Sequence, residues 1–184
     1  MQCDRNIHHR RSIRLKEYDY SQNGAYFITI CVQNKECLFG KIANGKMQLN
    51  DAGNIIQTIW DEIPEYYDGI ETDTFQIMPN HIHGIIIIVG AGPCACPIKS
   101  GQPRGVAPTK LSLFDVVHRF KTMTTKQYID GVKFKNWQPF DHKLWQRNYF
   151  EHVIRNEQSL NKIREYILNN PYGWEKDELF VKNL

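Results

Sequence analysis

Long apolar runs are missing from this sequence of 184 residues. None approaches the roughly 20 residues that a membrane-spanning helix needs, which excludes a chain built from such helices. Residues 1–24 are polar and lack the apolar segment of a secretory signal. We therefore predict a cytoplasmic protein that has no membrane partner.

Cysteine is scarce, and its spacing is irregular. The five cysteines are Cys3, Cys31, Cys37, Cys94 and Cys96. An odd number at these separations fits neither a zinc finger nor a fully paired disulfide framework. We expect the thiols to be reduced, as they are in most cytoplasmic proteins.

A large excess of charge is also missing, because the formal net charge is only +3 and the isoelectric point is about 8.5. This balance permits nucleic-acid binding but does not by itself predict it. The distribution is more informative, since residues 5–16 contain five basic residues and no acidic one. Such a segment is either a solvated tail or an arm that binds an acidic partner.

The remaining composition is that of a folded domain. Hydrophobic residues make up 41% of the chain and aromatic residues 12%, which is enough to form a core and too much for general disorder. Residues 90–110 hold four glycines and four prolines, which is typical of a loop. We predict a single domain over residues 1–184, with this Gly/Pro-rich loop inside it.

The apolar pattern predicts strands and helices in mixed order. Alternation over residues 26–32 predicts a first strand, and Asn44-Gly45 between residues 38–42 and 46–49 predicts a hairpin that supplies the next two strands. The later elements are predicted to be a helix capped by Asp51, strands at residues 75–77 and 81–89, a helix from about Ser112, a strand at residues 144–149 and a last helix from Glu157. This order predicts an α+β sandwich in which helices pack on a central antiparallel sheet.

Two histidines stand at the start of the most apolar strand. His81-Ile82-His83 follows the predicted turn Met78-Pro79-Asn80 and precedes the apolar run over residues 85–89. Side chains at i and i+2 of a strand point to the same face, so the two imidazoles lie about 7 Å apart along the backbone. Neutral imidazole is a common ligand of divalent ions, and the pair is a candidate set of metal ligands. The alternative is a pair of hydrogen-bonded histidines at a strand end.

The last predicted helix carries an apolar stripe. Leu160, Ile163 and Ile167 recur at helical spacing, so one face of this helix should dock on the core. The candidate N-caps are Asn156 and Ser159.

Tyr166 and Asn170 stand four residues apart and therefore share a face of this helix. The amide oxygen of Asn170 could complete a metal site with His81 and His83, and the Tyr166 hydroxyl would lie beside it. A metal and a phenol together suggest phosphoryl transfer. Asn170 could instead simply end the helix before Pro171. Residues that could act in their place are Asn169, Glu151, His152 and His142 as ligands and Tyr128, Tyr149 and Tyr172 as tyrosines.

Several motifs accompany these residues over nearly the whole chain. They are Arg10-Arg11-Ser12-Ile13-Arg14-Leu15, Tyr18-Asp19-Tyr20, Gly24-Ala25-Tyr26-Phe27-Ile28-Thr29-Ile30-Cys31, Phe39-Gly40, Met78-Pro79-Asn80-His81-Ile82-His83, Trp145-Gln146-Arg147 and Tyr166-Ile167-Leu168-Asn169-Asn170-Pro171. The histidine pair alone is unspecific, but its combination with the tyrosine motif downstream is specific. The chain resembles the REP-associated tyrosine transposases, which belong to the single-tyrosine HUH endonucleases.

This resemblance implies a ferredoxin-like core and a metal-dependent single-stranded DNA endonuclease and strand transferase. Its substrate would be palindromic hairpins of the REP type. Tyr166 would be the nucleophile and would form a 5′-phosphotyrosine while a 3′-hydroxyl is released. His81, His83 and Asn170 would bind Mg²⁺ or Mn²⁺, although imidazole ligands chemically favour Mn²⁺ or Zn²⁺.

The resemblance also implies DNA as the partner, a monomer or homodimer as the active form, and association with the nucleoid in a bacterial cytoplasm. Residues 1–20 would be a basic arm that helps to recognise a short guide sequence beside the hairpin. The candidate DNA-binding residues are Arg10, Arg11, Arg14, Lys16, Lys121, Arg147 and Arg155. Each of them could instead be an ordinary solvated charge.

Two other functions fit parts of the sequence. A hydrolytic metallophosphoesterase also uses paired histidines, but Gly84 and Ile85 follow His83 where a carboxylate-rich motif would continue. A hydrolase would also need no tyrosine. A non-catalytic protein that binds REP hairpins would keep the DNA-binding surface without the chemistry.

Overall fold

The computed structural model describes residues 18–89 and 111–181. Its strands are β1 (Gly24–Cys31), β2 (Gly40–Ala43), β3 (Lys46–Leu49), β4 (Ile70–Ile77), β5 (His81–Ile88) and β6 (Phe150–Ile154). Its helices are α1 (Asp51–Asp61), α2 (Ile63–Tyr66), α3 (Leu113–Lys135) and α4 (Glu157–Asn169), with 3-10 helices at Gln33–Lys35 and Asn170–Lys176. The Gly/Pro-rich loop and most of the basic arm, including Arg10, Arg11, Arg14 and Lys16, lie outside the described residues.

Four strands form an antiparallel sheet with the order β4-β5-β1-β6. β1 pairs along its whole length with β5, from Gly24 opposite Ile88 to Cys31 opposite His81, and pairs with β6 on its other edge. Helices pack on both faces of this sheet. The predicted α+β sandwich with a ferredoxin-like antiparallel sheet is confirmed.

The two faces of the sheet bury different amounts of apolar side chain. The larger core lies under α1 and α3 and includes Tyr26, Ile28, Ile86, Trp60 and Phe120. The smaller core lies under α4 and contains the buried residues Phe27, Ile85, Ile154 and Ile167. We call these the large-core face and the α4 face. Strand alternation places His81 and His83 on the α4 face with Ile85.

Side-chain caps set the starts of the helices. Asn50 caps α1, because its Oδ1 accepts a hydrogen bond from Gly53 N at 2.9 Å. The prediction of Asp51 as the cap was wrong by one residue; Asp51 is the first helical residue, where a negative charge favours the helix dipole. Ser112 caps α3, and the helix predicted from about Ser112 begins at Leu113. None of the described helices combines the length and the apolarity that crossing a membrane takes.

The predicted hairpin forms, but not as part of the main sheet. Its turn residues Asn44 and Gly45 have φ angles of 53° and 69°, as a type I′ turn requires. β2 and β3 pair with each other as a separate two-stranded sheet, so the prediction that they extend the first strand's sheet was wrong. Their side chains are half-buried or exposed, whereas β1 and β5 carry the continuous apolar runs that central strands need.

The strand predicted at residues 144–149 was also wrong, because the strand is β6, which begins at Phe150. Leu144 and Trp145 are buried, but the only strand-like pairing there is a single bridge between Trp145 and Val32. The Lys121 ammonium donates hydrogen bonds to the carbonyl oxygens of residues 146, 147 and 148. The apolar pattern therefore predicted correctly that Leu144 and Trp145 are buried. It did not predict that the Lys121 side chain, and not a neighbouring strand, would bind the backbone that follows them.

Candidate active site

The two histidines meet at the start of β5. Their Nε2 atoms lie 3.0 Å apart, and the side chains are buried, at 0% exposure for His81 and 3% for His83. Residues i and i+2 of a strand share a face, which explains why both rings point under α4. The predicted pairing of the two imidazoles is therefore present in the fold.

Hydrogen bonds to the other ring nitrogens orient both histidines. Asn80 Oδ1 lies 2.8 Å from His81 Nδ1, and Asn80 Nδ2 donates to the carbonyl oxygens of Lys35 and Leu179. Because both partners of Nδ2 are acceptors, Oδ1 must be the atom that accepts from His81 Nδ1–H. The lone pair of His81 is then on Nε2, which faces His83. Thr29 Oγ1 lies 2.8 Å from His83 Nδ1 and orients the second ring, either as donor or as acceptor.

Burial keeps both rings neutral. It lowers the pKa of His81 to about 2, with a further contribution from His83, and lowers the pKa of His83 to about 4, although Asp177 acts in the opposite direction. A metal ligand must be an unprotonated imidazole. At neutral pH both rings are thus in the uncharged form that a metal ligand requires.

Tyr166 lies beside this pair on α4. Its ring is in edge contact with His83, with centroids 5.3 Å apart, and half of the side chain is exposed. Burial of the remainder raises the pKa of the phenol, Asp177 raises it further, and the side chain of Asn170 lowers it. The hydroxyl is therefore protonated at rest, but it can be reached from solvent.

Asn170 lies where α4 passes into the 3-10 helix. It is 7% exposed, and its buried Oδ1 has no hydrogen-bond partner among the described residues. The alternative prediction, that Asn170 ends the helix before Pro171, is confirmed for α4, which ends at Asn169 with Asn170 as its C-cap; a 3-10 helix then runs from Asn170 to Lys176. A buried acceptor with no donor is the chemistry expected of a metal ligand.

Asp177 is a site residue that the sequence analysis missed. One of its carboxylate oxygens lies within 4.8 Å of nitrogens of His81 and His83, which are also within that distance of each other. Leu179 N donates to Asp177 Oδ1 at 2.6 Å, and the ring of Trp174 packs 5.9 Å from that of His81. The turn after the 3-10 helix brings Asp177 back to the two histidines. No sequence spacing relates Asp177 to the tyrosine motif, so a motif search does not find it.

These donors fit a divalent metal ion. Two neutral imidazole nitrogens and one carboxylate oxygen form a group that could hold one, and the partnerless oxygen of Asn170 adds a fourth candidate atom nearby. Among the described residues no other group of three His, Cys, Asp or Glu ligands is close enough to do so. The predicted alternatives Glu151, His152 and His142 do not belong to this group.

A cavity of about 670 Å³ opens beside these residues, and we call it the tyrosine cavity. Its lining includes His83, Tyr166, Asn170, Asp177, Phe27 and Phe150. A cleft of this volume is large enough to hold a ligand beside Tyr166.

An ion pair ties α4 to the sheet. Arg164 binds Asp73 through two nitrogens, Nε to Oδ1 at 2.9 Å and Nη2 to Oδ2 at 2.5 Å. Asp73 lies where the pairing of β4 with β5 shifts between Thr72 and Phe75, and such a bulge re-aims side chains. The guanidinium holds the pKa of Asp73 well below its usual range. This pair helps to fix the helix that carries Tyr166.

The remaining predicted DNA-binding residues are dispersed. Arg147 and Arg155 are exposed, and Arg155 lines a second cavity beside β6. Lys121 is occupied with backbone carbonyl oxygens and also lies 5.4 Å from the ring of Tyr149. Contacts of these three with DNA stay predictions.

Two proteins of known sequence are similar to this chain. An uncharacterized protein of Haemophilus influenzae is 48% identical over 178 residues, covering 95% of both chains. A second Haemophilus influenzae protein, provisionally named a REP-associated tyrosine transposase, is 26% identical over 157 residues, covering 83% of this chain and 73% of its own. No protein-family model matches the chain.

A solved structure gives the same picture for the fold. The REP-associated tyrosine transposase bound to a REP hairpin superposes with a TM-score of 0.54 at 15% identity, over 86% of this chain and 72% of that one. At this identity the likeness concerns the fold alone. The chain is thus similar in sequence to one protein provisionally named a REP-associated tyrosine transposase, and similar in fold to a solved one.

Proposed function

We propose that this protein is a transposase that cuts and rejoins single-stranded DNA, with Tyr166 as nucleophile and a divalent metal ion as cofactor. The observation that carries the proposal is the meeting of a half-exposed phenol with two neutral, buried imidazoles beside one open cavity. The proposed substrate is a REP-type hairpin with single-stranded flanks. Its support is that the relative solved with a REP hairpin shares this fold.

The chemistry is a transesterification. The Tyr166 oxygen attacks phosphorus, a Tyr–O–P bond forms, and the P–O3′ bond breaks. The products are a 5′-phosphotyrosine and a 3′-oxygen that takes up a proton as the phenol gives one up. Because the ester bond is conserved, a second 3′-hydroxyl can reverse the step and join a new strand without a nucleotide cofactor.

The surroundings of Tyr166 favour this role. Its raised pKa means that the phenol must lose its proton during the attack rather than before it. Asn170 favours the charged form of the phenol, which assists that loss. The edge contacts with His83 and Phe27 hold the ring at the mouth of the tyrosine cavity.

His81 and His83 would hold the metal ion, with oxygens from Asp177 and Asn170 as further ligands. When bound, Mg²⁺ or Mn²⁺ would supply Lewis-acid stabilisation of the phosphate. Asn80 and Thr29 fix the orientation of the two rings beforehand, so neither ligand has to find its orientation when the ion arrives.

A labelled hairpin oligonucleotide with single-stranded flanks tests the proposal. We expect wild-type protein with Mn²⁺ to form a covalent adduct that survives denaturing electrophoresis. Tyr166→Phe should reduce the adduct by several orders of magnitude, and a chelator should do the same. Tyr172→Phe is the matched control, because Tyr172 is 87% exposed on the adjoining 3-10 helix, and it should leave the adduct unchanged.

Other outcomes identify the other functions. Cleavage that survives in Tyr166→Phe would indicate a hydrolytic metallophosphoesterase. Binding of the hairpin with neither cleavage nor adduct would indicate a non-catalytic REP-hairpin protein. Either result contradicts the transposase proposal.

We also propose the wider organisation that the family suggests. Residues 1–184 would act as one transposase domain in which residues 1–20 form a DNA-binding arm. The protein would work as a monomer or homodimer on DNA in the cytoplasm. Charge reversal at Arg10, Arg11, Arg14 and Lys16 would test the arm through its effect on hairpin affinity.

A further inference from the structure

Phe150 is an aromatic side chain that the proposed chemistry does not use. It is the first residue of β6, at the edge of the sheet, and 48% of the residue is exposed. Strand register places Phe150 opposite Thr29 and Thr29 opposite His83. These three side chains form a row on the α4 face, with Phe150 about 10 Å across the sheet from His83.

One neighbouring ring supports both Phe150 and Tyr166. Phe27 makes edge contacts with each of them, at a centroid distance of 6.1 Å in both cases. The rings of Phe150 and Tyr166 therefore lie at most about 12 Å apart, and both line the tyrosine cavity. A phosphate at Tyr166 would thus have a half-exposed aromatic ring within reach of its neighbouring nucleotides.

About half of Phe150 is open to solvent, at 48% exposure. Within the described part of the chain its aromatic contact is the edge contact with Phe27 alone. Exposed Phe114, by comparison, is stacked on His118 at a centroid distance of 5.8 Å. Leaving a phenyl face in water gives up hydrophobic stabilisation, so a ligand that covers it would gain that energy.

We propose that Phe150 is a stacking site for a nucleobase of the single strand that passes Tyr166. This inference rests on the proposed function, and it adds a binding contact that needs no base sequence. Every base has an aromatic face, and stacking on a protein ring contributes enough that its removal weakens binding by roughly 5- to 100-fold. Phe150 would hold the strand in place without taking part in the phosphoryl transfer.

The experiment uses the full chain in a Tyr166→Phe background with Mn²⁺, so that DNA is bound but not cut. The probes are a fluorescein-labelled hairpin with single-stranded flanks and a series in which 2-aminopurine replaces one flanking base at a time. Phe150→Ala should weaken binding by roughly 5- to 100-fold, and Phe150→Trp should restore it. Phe134→Ala, at an 81% exposed phenylalanine on α3, is the matched control and should bind normally.

Abasic substrates make the test specific. At the position where 2-aminopurine fluorescence is quenched by the protein, removal of the base should weaken binding to the Phe150-containing protein but not to Phe150→Ala. Equal losses in both proteins would overturn the stacking site, as would unchanged affinity in Phe150→Ala. Circular dichroism and thermal melting would show that Phe150→Ala and Phe150→Trp are folded.

The outcomes separate this inference from the function on which it rests. Covalent labelling by the wild-type protein together with normal hairpin binding in Phe150→Ala would leave the transposase intact and overturn only the stacking site. A wild-type protein that neither binds nor is labelled would overturn both. Self-association that disappears in Phe150→Ala would show that the ring serves an interface between copies, and that too would contradict the proposal.

Discussion

The two faces of the central sheet divide stability and chemistry between them. The large-core face buries Trp60, which stacks on Phe75 at 4.1 Å and meets the edge of Phe120 at 5.7 Å. The α4 face has a core of four buried apolar residues, and its far end carries the histidines and the tyrosine cavity. A strand with side chains on both faces can hold metal ligands rigidly on one face, because its side chains on the other face are densely packed.

Gly84 shows how closely the two faces are linked. It stands between His83 and Ile85, and a Cβ there would come within 2.3 Å of a Trp60 ring carbon. The absence of a side chain on the large-core face therefore lets Trp60 pack directly against the strand that holds the metal ligands. This division predicts that substitutions on the large-core face affect folding, whereas substitutions on the α4 face affect chemistry.

The largest expected effect is on the large-core face. Trp60→Ala should lower the free energy of unfolding by about 3–5 kcal/mol, because it leaves a cavity where a stacked ring was. Urea denaturation followed by fluorescence or circular dichroism measures this change. Phe134→Ala removes an exposed ring from α3 and should change stability by less than about 0.5 kcal/mol. A comparable loss in both variants would contradict the division between the faces.

The next effect belongs to the α4 face. Asp177→Asn should weaken Mn²⁺ binding by roughly 10- to 100-fold, because it removes the negative charge nearest the two imidazoles, while the free energy of unfolding changes little. Isothermal titration calorimetry measures the affinity. Glu178→Gln is the matched control, since it removes one carboxylate charge at the next, exposed position. Equal affinities in Asp177→Asn and wild type would show that Asn170 alone completes the site.

The sequence predicted the parts of this site that depend on local geometry. His81 and His83 follow from the two-residue period of a strand, and the Tyr166 face follows from the helix period. Asp177 does not, because its position depends on long-range contacts such as the hydrogen bond from Asn80 Nδ2 to the carbonyl of Leu179. No pattern within a segment reports a contact between residues so distant in the chain.

The errors in the fold have the same origin. The apolar character of Leu144 and Trp145 indicated burial, but not that Lys121 would bind the backbone of the residues that follow. The hairpin at Asn44-Gly45 was local and was predicted correctly, whereas its place outside the main sheet was not. Sequence patterns thus predicted the helices and strands and the faces that they bury. Contacts with side chains distant in the sequence decided how these elements pair with one another.

The smallest expected effect is a pH dependence on the α4 face. Arg164 lowers the pKa of Asp73 in the folded protein, so this pair contributes stability above the unfolded carboxyl's pKa of about 3.9 and loses it as the pH falls towards the lower, folded value. Urea denaturation from neutral pH down to about pH 2 should show a decline that is shallower in Asp73→Asn than in wild type. As the pH falls, adduct formation should decrease before the protein unfolds, because the Asp73–Arg164 pair holds α4 and not the large core in place. Equal adduct formation by Asp73→Asn and wild type at neutral pH, together with a lower stability of the variant, would show that Tyr166 is positioned by Phe27 and His83 alone. The two faces would then be more independent than the ion pair suggests.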